Sequence, residues 1–427
     1  MSRAANKQET TASEVASRAE LMLVKNEPPA ESRQFLVRGT PAFRRATIAL
    51  FLSGFATFSL LYCVQPLMPI FSEDFGVTPA ASSLSLSLST GFLAFAIFGA
   101  AAVSESLGRR SLMFISLLGA AICTIVCAVS PSWHMLLVAR ALEGFLLGGV
   151  PAVAMTYLAE EIEPRGLGGA MGLYIAGNAF GGMAGRVVTG TIAEFLSWRP
   201  ALAAVGVLGL IAAVGFLCLL PPSRNFIPRN GFDAAFHLKA WGGHFGNPAL
   251  PPLFAIGFLV MGSFVTVYNY AGFRLVADPY DLSQTELGLI FTAYLFGIVA
   301  SWAAGLLGDR IGHFVVLPAG VLVAALGAAI TLATPLPLVI LGIVLVTIGF
   351  FVTHSVASAL VGRLARGAKG HASSLYLLAY YLGSSIAGSV GGSFWLADGW
   401  SAVVTFILAM LTACLVAAFG VARLARH

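Results

Sequence analysis

Apolar residues in this chain run in long blocks and do not alternate with polar ones. A bilayer is crossed by about 20 apolar residues in a helix. Twelve blocks of that kind are read from about residue 46 onward. Six lie at 46–69, 84–104, 111–130, 134–158, 168–193 and 199–220. Six more lie at 250–273, 285–307, 314–333, 337–361, 371–395 and 401–423. The polar interval 221–249, which contains PPSRNFIPRNG, divides the sets and reads as a cytoplasmic linker. Residues 1–45 read as a disordered cytoplasmic tail, and 424–427 as a short second tail. The pattern predicts an all-α membrane protein with twelve transmembrane helices in two six-helix bundles, 46–220 and 250–423. The first apolar block begins too late for a signal peptide.

Composition agrees with this picture. Hydrophobic residues make up 58% of the chain and charged residues 10%, with a mean hydropathy of +0.88. Soluble domains average about 25% charged residues. With both termini inside, 20 of the 24 Lys and Arg fall on the cytoplasmic side, which sets the orientation. Only Arg199 and Arg274 sit at outer ends, and Arg140 and Arg186 lie within spans. The pI of 9.0 is explained by these loops, so nucleic acid is not the partner. The five cysteines all fall in apolar blocks, without metal-ligand spacing, and read as small packing residues. No G-x4-G-K-[ST] loop is present, so ATP is not the energy source in this chain.

The two sets of spans are related to each other. AMGLYIAGNAFGGMAGRVVTGTIAEFLSW (170–198) matches ASSLYLLAYYLGSSIAGSVGGSFWLADGW (372–400) at an offset of 202, and AAVSESLGR (101–109) matches GLLGDRIGH (305–313) at an offset of 204. A parallel repeat of this kind suits a transporter whose halves rock against each other.

The loop after the eighth span carries Gly305, Leu307, Asp309, Arg310, Gly312 and His313. It resembles the G-x-L-x-D-R-x-G-R signature of the major facilitator superfamily. The loop after the second span keeps a worn copy in Ala101, Val103, Glu105, Gly108 and Arg109. R-x-x-E-G at 140–144 resembles a second motif of that family, and the resemblance covers about residues 46–423. The fifth span is similar to the glycine motif of drug–proton antiporters. Gly172, Gly181, Gly185 and Gly190 match it, whereas Arg186 and Thr189 stand where the motif has proline and glycine. The resemblance implies a secondary transporter of the bacterial inner membrane. It implies no cofactor beyond a coupling proton, and a monomer that moves a small molecule.

Glu143 is the only acid well inside a span. Arg140 precedes it by three residues and so shares its helix face. Arg186 lies at a similar depth, about seven residues from the outer end of the fifth span. An arginine in hydrocarbon costs at least about 2.5–3.5 kcal/mol, so it requires a partner or a wet cavity. One reading makes Glu143 the coupling site, held by Arg186 and adjusted by Arg140. Another makes the three charges a lock between adjacent fourth and fifth spans. A third makes the arginines ligands of an anionic substrate.

The remaining candidates are softer. Glycines 177, 181 and 185, with Gly383, Ala387 and Gly391 in the counterpart span, form bare faces for close helix packing. An inner gate is read from Glu105 and Asp309, with Glu160 and Glu161 facing Arg109 and Arg110, and Arg363 and Arg366 facing Asp309. A substrate cavity is read from Tyr62 and Gln65, which precede Pro66 and Pro69, and from Tyr268 and Asn269 at the matching end of the seventh span. Asn178, Tyr294, His354, Tyr376 and Tyr380 add polar or aromatic groups. The chain resembles the drug and sugar efflux branches of the family, and that resemblance implies proton-coupled efflux of small drug- or sugar-like compounds. Uptake or facilitated passage of an organic anion is the rival, and a transport-dead sensor or scaffold the other.

Overall fold

The computed structural model describes residues 34–226, 234–365 and 369–425. Among these residues every regular element is helical. The α-helices run in order α1 (Pro41–Tyr62), α2 (Met68–Asp74), α3 (Pro79–Leu107), α4 (Arg109–Ala128), α5 (Trp133–Leu147), α6 (Pro151–Glu161), α7 (Pro164–Phe195) and α8 (Trp198–Leu219). They continue as α9 (Ala234–Phe245), α10 (Leu250–Leu275), α11 (Gln284–Ile290), α12 (Tyr294–Ile311), α13 (His313–Ile330), α14 (Leu336–Leu364) and α15 (Lys369–Leu424).

Local chemistry sets the ends. Thr40–Pro41 and Thr78–Pro79 each place a hydroxyl acceptor at the cap and a proline in the first turn. Gly108 and Gly312, the matching glycines of the repeated loop, have φ of 83° and 96°. An L side chain there costs roughly 1–2 kcal/mol, so the turn selects glycine.

Three predicted spans are interrupted. Pro66 and Pro69 lack amide donors, and the first span becomes α1, a 3₁₀ turn at Gln65–Leu67, and α2. The fourth divides into α5 and α6 at Pro151. The eighth divides into α11 and α12 around a 3₁₀ turn at Phe291–Ala293. By length and composition, ten helical runs among the described residues can cross a membrane. The 32-residue α7 is not among them, since its glycines and Arg186 dilute its hydropathy. The last run, α15, carries two predicted spans and is divided at Asp398–Gly399, where Gly399 has φ of 55°.

Some boundaries depart from the sequence reading. The first helix starts at Pro41, because Thr40 caps it. Of the predicted tail, residues 1–33 lie outside the described residues, whereas Leu36 pairs with Ile162 and exchanges backbone hydrogen bonds with Glu161 and Glu163. The linker is not all loop: it holds α9, while 227–233 lie outside the described residues.

Glycine faces bring the long helices together. The backbones of Phe51, Phe55 and Ser59 on α1 fill the space at Gly177, Gly181 and Gly185 of α7. The second half repeats this at Gly383 of α15, against the backbone of Phe258 on α10, whereas side chains of Thr266 and Tyr270 fill the space at Gly391. Gly172 is the exception among the predicted packing glycines. It is exposed, and nothing lies where its side chain would go, because it sits on the opposite face of α7.

The halves meet at the end away from the linker. Gly190 abuts Gln284 and Gly288, and Gly392 abuts Ala80, the pseudo-symmetric counterpart of that contact. Glu194 accepts the amides of Gln284 (2.7 Å) and Thr285 (3.4 Å), capping α11 from the other half. At the linker end, Trp241 of α9 lies edge-on to Phe98, with ring centres 4.5 Å apart, and donates to Ser374 Oγ at 3.1 Å. Large apolar side chains such as Phe95, Val138 and Trp302 stand exposed on the outside, where lipid would cover them.

Candidate functional site

The break in the first span leaves carbonyls without helical partners, since the last four of any α-helix have none. Arg140 meets them. It is fully buried on α5, and its guanidinium donates to Leu60 O (3.1 Å) and Leu61 O (2.5 Å) of α1 and to Ser85 O (2.7 Å) of α3. It also pairs with Glu143 Oε2 at 2.5 Å. Ser89 Oγ donates to Arg140 O at 2.7 Å, so α3 grips the same turn from a second side. Glu143 is buried as well, and its Oε1 has no hydrogen-bond partner.

Arg186 stands apart from that cluster. Its Nε donates to Gln65 Oε1 (2.7 Å), and its Nη1 donates to Gly182 O one turn back on its own helix (2.5 Å). Its guanidinium lies over the rings of Tyr62 (4.4 Å), Phe291 (4.8 Å) and Tyr294 (4.9 Å). Gln65 Nε2 in turn donates to Asn269 Oδ1 on α10 (2.8 Å), so the chain of bonds crosses from one half to the other. Tyr62, Gln65, Phe291 and Tyr294 all flank or form the breaks in the first and eighth spans. Irregular backbone at membrane depth is tolerated where protein buries it or a cavity adjoins it.

The expected Arg186–Glu143 contact does not form. The glycine face of α7 packs on α1, not on α5, and Arg140 takes Glu143 instead. Among the described residues no carboxylate pairs with Arg186, which is only 1% exposed.

The other cavity candidates gather on the second half. Tyr268 stacks on Phe291 (4.9 Å) and hydrogen-bonds with Thr347 (2.8 Å). His354 Nδ1 lies 2.9 Å from Tyr376 Oη, and its ring is 4.6 Å from that of Tyr380. Asn178 is separate, lying against Gly54 two turns along α7 from Arg186.

The linker-end charges also found partners. Arg109 pairs with Glu160 (2.8 Å), and Asp309 pairs with Arg363 (3.3 Å). Each pair lies within one half, and neither ties the two halves together. Arg110 donates instead to Leu217 O (2.6 Å), and Glu161 accepts the amides of Arg224 and Asn225. Gly305 and Arg310 are exposed. The side chain of Glu105, and Arg366, lie outside the described residues.

Sequence reasoning missed Ser85, Ser89, Phe291 and Thr347. The serines of SSLSLSLST did carry a signal, because a span with so many hydroxyls must turn them toward protein. Phe291 and Thr347 carried none, since nothing local marks which face of a span looks inward.

Comparison with known proteins adds to this geometry. The family model of the Major Facilitator Superfamily matches residues 50–277 and 253–426. The inner membrane transport protein YnfM of Escherichia coli K12 is 47% identical over 385 residues, covering 90% of this chain and 92% of that protein. The multidrug resistance protein MdtG of Proteus mirabilis is 28% identical, covering 68% of this chain and 71% of its own. Among solved structures, a bacterial homologue of the human lysosomal transporter Spinster, inward-facing and occupied, superposes with a TM-score of 0.73 at 14% identity. That match covers 91% of this chain and 98% of the other, and it speaks for the fold.

Proposed function

The chain belongs to the major facilitator superfamily, as a multi-pass protein of the bacterial inner membrane, and on that premise we propose that it exports small organic compounds in exchange for protons. It crosses the membrane twelve times, with both termini and the linker in the cytoplasm, where most of its basic residues fall. The two halves rock as a monomer around the buried cluster at their junction. One observation carries this reading: the Arg186–Gln65–Asn269 chain of hydrogen bonds joins the halves at the level of the helix breaks. Substrate sites of secondary transporters lie near the midplane, at such discontinuities. The similarity to the MdtG multidrug resistance protein supports export.

Glu143 supplies the coupling. Its carboxylate holds Arg140, and Arg140 holds Leu60 and Leu61, a few residues before Gln65. Protonating Glu143 removes the charge pair and loosens the break that positions Gln65. The proton is thereby linked to the contact between the halves.

Reconstitution of the purified protein in liposomes with an imposed pH gradient tests this, using a panel of drugs, sugars and organic acids. Substrate-dependent proton movement is expected. Glu143→Gln should lose gradient-driven transport yet keep exchange of labelled for unlabelled substrate. Transport without proton movement would make the protein a facilitator, and silence across the panel would make it a sensor.

A further inference from the structure

Arg186 is a buried charge whose partners are all neutral. Gln65 offers a carbonyl, Gly182 a backbone carbonyl, and Tyr62, Phe291 and Tyr294 offer ring faces. Ring faces and amides attract a cation but do not neutralise it. A buried charge is ordinarily paired with its opposite. The cluster around Arg186 also holds a donor that the protein does not use. Asn269 Nδ2, on the amide that receives Gln65, is buried with no hydrogen-bond partner. A fixed cation, a spare amide donor and aromatic rings together complement an acid carried on a flat apolar body.

Resting on the transport reading above, we propose that Arg186 receives the carboxylate of a small aromatic acid. The acid enters by displacing Gln65 Oε1 from Arg186 Nε. A carboxylate outcompetes an amide carbonyl for a guanidinium, because the ionic hydrogen bond is roughly twice as strong. Displacement also disturbs Gln65 Nε2, whose bond to Asn269 joins the halves. Substrate occupancy and the Arg186–Gln65 bond therefore exclude each other, and the side chain that is released is the one that ties the halves.

The experiment measures direct binding to the purified full chain, apart from transport. Phenylpropionate, indoleacetate and naphthoate are each compared with their primary amides. The parent should favour the carboxylates by about tenfold or more, the scale of one ionic hydrogen bond. Arg186→Gln should erase that preference, and Arg186→Lys should keep part of it. Gln65→Glu should erase it too, by supplying the counter-charge within the chain. It should also raise the melting temperature, which a damaged fold would not do. Equal binding of acids and amides, a preference unchanged in Arg186→Gln, or no binding of any carboxylate overturns the proposal. A carboxylate preference that depends on Arg186, found without proton-coupled transport, upholds the receptor and sinks the coupling reading alone.

Discussion

Arg140 shows how much one side chain settles at the residue scale. Its guanidinium meets three carbonyls from two other helices and the only acid well inside a span. Removing it strips a charged donor from all of them and leaves Glu143 without its counter-charge. Arg140→Met should destabilise the detergent-solubilised protein by about 3–5 kcal/mol, the cost of leaving a buried ion unpaired. Arg140→Met with Glu143→Gln should cost less, because no charge is then stranded. Thermal unfolding of the two variants side by side measures the difference. If the double variant is no more stable than the single one, the carbonyl contacts dominate and the ion pair contributes little. The sequence showed that Arg140 and Glu143 share a face. It did not show that the break in another span would claim the arginine.

Glycine spacing decides the pairing at the scale of the element. The face of 177, 181 and 185 lets α7 lie against the α1 backbone, and Ser59 Oγ donates to Gly181 O across the contact at 2.8 Å. Gly181→Leu should separate the two helices and abolish transport while the protein still inserts. Gly172→Leu, on the exposed face of the same helix, should leave transport near the parent level. Export rates of the two variants at matched membrane abundance test this. Normal transport by Gly181→Leu would mean that the helices need not approach so closely. The repeat made the bare faces legible. Only the packed structure showed that α1 is their partner and that Gly172 lies off the stripe.

The whole molecule is closed at the end away from the linker by contacts from both halves. The amides capped by Glu194 belong to α11, so this carboxylate ties the first half to the start of the eighth span. A lost cap costs about 0.5–2 kcal/mol, and a carboxylate at a helix start also meets the positive end of the dipole. Glu194→Ala should shift the molecule toward opening at that end. Labelling of a cysteine placed beside Ala80 should then be faster than in the parent. Unchanged labelling would show that the glycine contacts at Gly190 and Gly392 hold the closure by themselves.

The sequence by itself determined the helical membrane architecture, the relation between the halves and the residue types at the junction. Apolar runs, glycine spacing and repeat offsets are local or periodic properties of the chain. Tyr62, Gln65 and the seventh-span pair Tyr268 and Asn269 stood out because prolines and a matching position marked them. Among the buried charges, the tertiary structure alone decided which meets which. Glu143 goes to Arg140 because α5 and the frayed end of α1 pack together. Arg186 is left among neutral groups because α7 packs on α1 and meets the eighth span at its break. Pairing among buried charges depends on which helices are neighbours, and helix neighbours are set by backbone approach between segments far apart in the chain.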